Sequence, residues 1–160
     1  MTKRERFLNV LANKPVDRVP VAFFHHFLED WTQFGLGVEN DEVFERNIEG
    51  HRTACKVFNP DVAKIMNDSL MLMPVEASFV KTADDLRKIE PLSMNSKFVQ
   101  RTLELTKRVR EIYAETGAPV YATSFSPTLV LRGALPEGRR PASSGSFRRT
   151  PRLWVWPARR

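Results

Sequence analysis

A single cysteine, Cys55, stands in 160 residues. One thiol excludes an internal disulfide framework and a cysteine-only metal site. It agrees with a reducing, cytoplasmic setting. No stretch approaches the roughly 18–20 consecutive apolar residues of a membrane span, so no membrane role is expected. The opening "MTKRERFLNV" mixes a few apolar residues with arginine and asparagine and does not read as a signal peptide. Neither the G-x-G-x-x-G nor the G-x-x-x-x-G-K-[ST] phosphate-binding pattern occurs. Internal repeats are absent as well.

Charge is unevenly distributed. The formal net charge is +6, a value that on its own hints at a nucleic-acid or membrane partner. The last 22 residues, Arg139 to Arg160, hold seven arginines, no lysine and no acid. The remaining 138 residues hold 18 Lys and Arg against 19 Asp and Glu. The body is therefore a nearly neutral domain, and the basic character belongs to the tail. With 42% hydrophobic residues the chain has the composition of a globular protein that buries a modest core.

Local patterns give an order of elements. Thr2 and Glu5 form a capping box ahead of a short helix over residues 3–13, which Pro15 ends. "RVPVAFF", residues 18–24, is a short Val- and Phe-rich run and predicts a buried strand. Asn40 caps a helix running to about residue 59. On it Phe44, Ile48, His51, Cys55 and Phe58 share one face. That periodicity alone accounts for His51 as a partly buried helix histidine and for Cys55 as a small core residue. "DVAKIMNDSL", residues 61–70, predicts a second strand. "TADDLRKI" predicts a short helix with Thr82 as its cap. A long helix over residues 96–116 stops at Gly117. "APVYATSF" predicts a third strand. Ser126 and Pro127 open a further helix. Alternating strands and helices imply a parallel sheet covered by helices. The expected fold class is α/β. Three strands cannot close a barrel, which takes eight strands and about 250 residues.

In parallel α/β folds the functional face lies at the carboxyl ends of the strands. Three clusters fall there: His25 with His26, Asn67 with Asp68 and Ser69, and Ser124 with Ser126 and Thr128. Asp68 is the sharpest. A carboxylate at the end of an apolar strand faces a desolvation penalty unless it is hydrogen-bonded. It is either held there for a ligand or caps the turn that follows. His25 and His26 are adjacent, so in a strand they point to opposite faces and only one faces a site. They are poor partners for one metal ion, and no residue is assigned to a metal. Ser126 reads as a helix cap more readily than as a nucleophile, because no His–Asp partner is legible. Asp68 stays open between these two readings on position alone, and His25, Asn67 and Ser126 are candidates for binding substrate.

Three stretches resemble the uroporphyrinogen decarboxylase superfamily. "RERFLNVLANKPVDRVPV" is similar to its opening helix and P-x-D-R-x-P turn. "NPDVAKIMNDSLMLMPVEA" resembles its second strand with the following aspartate. "GAPVYATSFSPTLVLRG" resembles its third. The likeness covers about residues 3–135, in order and at matching spacing. It implies that residues 1–138 are the N-terminal part, about three βα units, of a (β/α)₈ TIM barrel. The decarboxylase removes acetate carboxyls from a cyclic tetrapyrrole without a cofactor, and Asp68 matches the aspartate that holds the pyrrole N–H groups, a likeness that makes it the catalytic candidate. Decarboxylases carry an arginine-containing stretch after the first strand. "FFHHFLEDW" stands there instead and has no arginine, so an anionic substrate loses its expected charge partners. The sister branch of the superfamily transfers methyl groups from a corrinoid protein, using zinc held in the second half of the barrel. That branch is the alternative reading.

The resemblance stops where the composition changes. An Arg-, Pro- and Ser-rich end over residues 139–160 is what GC-rich DNA yields in a shifted reading frame. The chain is accordingly expected to be a truncated, inactive and poorly folded barrel fragment. A genuine basic tail with Trp154 and Trp156 would instead bind nucleic acid by charge and stacking. No fold-level nucleic-acid motif accompanies it.

Overall fold

The computed structural model describes residues 1–135. The arginine-rich tail, residues 139–160, lies outside the described residues.

Helix α1 (Lys3–Leu11) starts at the capping box: Glu5 N–H donates to Thr2 Oγ1 at 3.2 Å, and Thr2 N–H donates back to Glu5 at 2.8 Å. It ends two residues short of the expected boundary, with Asn13 at φ 54°. Helix α2 (Asp41–Phe58) is capped by Asn40 and stops at Asn59, a left-handed residue with φ 41°. Helix α3 (Lys97–Tyr113) begins at Ser96, and Gly117 at φ 68° turns the chain after it. Helix α4 (Pro127–Ala134) follows Ser126, whose Oγ accepts from Leu129 N–H at 3.3 Å. The segment from Ala83 to Lys88 winds as 3₁₀ rather than α-helix. Asp85 Oδ2 accepts from the N–H groups of both Lys81 and Thr82 there.

Two short strands, β1 (Ala63–Ile65) and β2 (Val120–Ala122), pair in parallel with Lys64 opposite Tyr121. Residues 18–24 do not form the expected strand. Among the described residues their contribution is one parallel bridge between Ala22 and Val62. The physical reason lies in Pro20 and Asp61. Proline offers no N–H to a ladder. Val21 N–H donates to the Asp61 side chain at 2.9 Å instead of to a neighbouring backbone. Val21 O still accepts from Asp61 N–H at 2.8 Å, so the segment is tied to the start of β1 at one point.

Asp61 is also the centre of a buried charge cluster. Arg6 donates to it at 2.7 Å and grips Asp17 with two bonds of 2.7 and 2.8 Å. Arg18 donates to the other side of Asp61. Burial pushes the Asp61 carboxyl upward, but Arg18, the Val21 N–H and Arg6 outweigh it and hold the group below the usual range. The cluster fastens α1 and the 15–21 turn onto β1.

The core lies between the sheet and α2 and α3. Phe44 and Ile48 of α2 and Leu105, Val109 and Tyr113 of α3 enclose Ala63, Ile65 and Leu70. Cys55 is half-buried against this cluster, and its Sγ lies 3.6 Å from Ile112 O. His51 is fully buried, further in than the helix periodicity required. Arg108 with Glu45 and Arg101 with Asp41 tie α3 to α2 at the surface, and Lys97 with Glu39 ties α3 to the segment just before α2.

Candidate functional site

The extended run 23–27 has two faces, and they meet different partners. Phe23 packs on Phe58 at 4.6 Å between ring centroids. His25 stands edge-on to Phe58 and Phe27, and Phe27 meets His51 at 4.6 Å. These odd-numbered residues face α2. The even-numbered Phe24 and His26 turn the other way, towards Lys64 and Asp68. In β1, Ala63 and Ile65 belong to the core on the helix side. Strand alternation therefore sends Lys64 to the opposite face.

Asp68 lies three residues beyond the end of β1, fully buried, and opens a single 3₁₀ turn, Asp68–Leu70. Its Oδ2 accepts from Phe27 N–H at 2.7 Å, and its Oδ1 lies 2.8 Å from His26 Nδ1. Its backbone oxygen accepts from Gly35 N–H at 2.8 Å. A carboxylate only accepts hydrogen bonds, so His26 carries its ring hydrogen on Nδ1. In the neutral ring Nε2 then carries no hydrogen, and the side chain is 44% exposed. Phe24 and Phe34 flank the imidazole, at 5.9 and 5.0 Å between centroids.

The turn holding Asp68 is clamped from beneath by a residue that the sequence reading passed over. Asn47, fully buried on α2, donates to Met66 O at 2.8 Å and accepts from Ser69 N–H at 3.2 Å. It lies three residues after Phe44 and four before His51. A polar residue on that apolar stripe was the available signal. His51 Nε2 lies 3.2 Å from both the N and the O of Met66. Burial pushes its pKa down to about 4, although Met66 and Asp68 act the other way. Two glycines allow the close fit. A Cβ on Gly37 would come within 2.6 Å of the Ser69 side chain, and one on Gly50 within 2.3 Å of the Phe27 ring.

The structure brings Asp68 together with His26, not with His25, whose ring stays in the aromatic layer against α2. Asn67 is half-buried and borders a cavity of about 180 Å³ shared with Ser124, Thr106 and Met71. Ser126 is taken up as the cap of α4. Ser69 N–H is held by Asn47. Among the described residues no group of three or more His, Cys, Asp or Glu side chains could hold a metal ion. No helix among the described residues is long and apolar enough to cross a membrane.

No family model, curated protein or solved structure matches this chain.

Proposed function

We propose that this chain is the N-terminal part of a uroporphyrinogen decarboxylase-like barrel enzyme, and that Asp68 and His26 are its proton-handling pair. The observation that carries the reading is the 2.8 Å contact of Asp68 Oδ1, three residues beyond the end of β1, with His26 Nδ1. A buried carboxylate fixes the tautomer and orientation of an exposed imidazole, the arrangement that general acid–base chemistry requires. Loss of a carboxyl as carbon dioxide leaves a carbanion equivalent that must be protonated; in this reading His26 Nε2 first takes a proton from solvent, the Asp68 carboxylate stabilises the imidazolium that forms, and the imidazolium then gives that proton to the carbon. In this reading Asp68 acts through His26 and does not itself face the substrate, because its side chain is fully buried. The substrate is a small molecule of the tetrapyrrole class.

The alternative is a methyltransferase of the same superfamily that works with a corrinoid protein. It is favoured by the missing arginine in "FFHHFLEDW". Its zinc ligands would have to come from outside residues 1–135.

Uroporphyrin, a stable fluorescent tetrapyrrole, is the probe for the test. Titrated into the full chain, it is expected to bind saturably, with affinity reduced about tenfold in His26→Ala through loss of a charge-assisted contact, and similarly in Asp68→Asn because His26 is no longer held in its orientation. Absence of saturable binding, or binding that both substitutions leave intact, would overturn the reading.

A further inference from the structure

Lys64 is a lysine inside an apolar strand. It lies in the middle of β1, between two core residues, and is only 8% exposed. Its Nζ sits 3.4 Å from the centroid of the Phe24 ring. Among the described residues it has no hydrogen bond and no ion pair, whereas other buried charges here have both. Arg6 and Asp61 neutralise each other, and Asp68 holds His26 and Phe27. Tyr121 is opposite Lys64 in the β1–β2 register and shares its face. An ammonium set in an apolar strand with no counter-ion among the described residues is costly to fold around. Burial lowers the Lys64 pKa, and Asp68 counteracts only part of this. The ring beneath it offers a cation–π contact but no charge.

We infer that Lys64 Nζ is the anion-recognition group of this site, taking a substrate carboxylate on the face where His26 presents Nε2. The inference rests on the reading of that face as the site. It also supplies what "FFHHFLEDW" lacks: a cation for an acidic substrate is present, but on the second strand segment and not after the first. The ligand class is a small carboxylate-bearing molecule. Phe24 borders the ammonium with apolar surface, so the part of the ligand beside the carboxylate is apolar.

Succinate is the probe, titrated at constant ionic strength into the full chain carrying ¹³C-labelled lysine. The Lys64 Cε resonance, assigned by its loss in Lys64→Met, reports the ammonium directly. The expected result is a saturable shift with succinate but not with chloride, accompanied by a rise in the Lys64 pKa. Lys64→Met should weaken succinate binding about tenfold or more. An unresponsive Lys64 resonance would overturn the inference, as would succinate binding that Lys64→Met leaves unchanged. The imidazole tautomer of His26, read on the same samples, separates the two claims. Saturable succinate binding with His26 in the wrong tautomer sinks the proton-handling pair and leaves Lys64 standing. The converse result sinks Lys64 alone.

Discussion

Two histidines lie on opposite sides of the same thin layer, and their surroundings differ in every respect that governs chemistry. His51 on α2 is sealed among Phe27, Met66 and Asn47, and burial drives it towards the neutral form. His26 is nearly half exposed and hydrogen-bonded to a carboxylate that orients it. The first props up the turn that carries Asp68, and the second is what the turn holds in place. The same residue type is structural where water is excluded on all sides, and available for reaction where one nitrogen is fixed and the other free.

The contrast is broken most strongly by acid. His51 titrates near 6.5 when unfolded and at about 4 when folded. Below pH 6.5 the unfolded chain therefore takes up a proton that the folded chain refuses, and stability falls until about pH 4. A shift of this size corresponds to about 3 kcal/mol at most. Urea unfolding across that range should show the loss, and His51→Leu should flatten it.

Asn47→Leu attacks the clamp from the same side. It leaves Ser69 N–H without its acceptor in a buried turn, for a loss of about 2 kcal/mol. The His26–Asp68 contact should loosen with it, visible as broadening of the His26 resonances. Gly50→Ala places a methyl group against Phe27, whose N–H holds Asp68. Overpacking of this kind is expected to destabilise by about 1–2 kcal/mol, measured as a lower urea midpoint.

The smallest effect is expected on the open face. Lys64→Met removes a cation that burial already disfavours, so thermal melting should be unchanged or slightly raised. For a group whose folded pKa is depressed, the destabilisation is present below that pKa and fades as pH rises towards 10.5. A melting temperature several degrees lower in Lys64→Met would make Lys64 a packing residue.

The helices were readable because their signals are local. Thr2, Asn40 and Ser126 each cap where their sequence context places them, and Ser96, expected as the first helical residue, caps α3 instead. Asp68 was readable too, as a carboxylate ending an apolar run. The choice between His25 and His26 was not, because alternation says only that they differ. Which one meets Asp68 depends on how residues 22 and 62 come into register, a contact across 40 positions. Residues 18–24 misled for a related reason: their apolar pattern suits a strand, but the Asp61 side chain claims the Val21 N–H. Lys64 and Asn47 were visible as polar residues interrupting apolar patterns. Their importance emerges only once the partners on each side are known.

The most direct test is the imidazole nitrogen spectrum of the full chain at neutral pH. Long-range ¹H–¹⁵N correlations should show His26 with its hydrogen on Nδ1 and a bare Nε2. Asp68→Asn should abolish that preference, and His51 should remain unprotonated down to about pH 4. A His26 ring carrying its hydrogen on Nε2, or one indifferent to Asp68→Asn, would contradict the pairing on which the account depends.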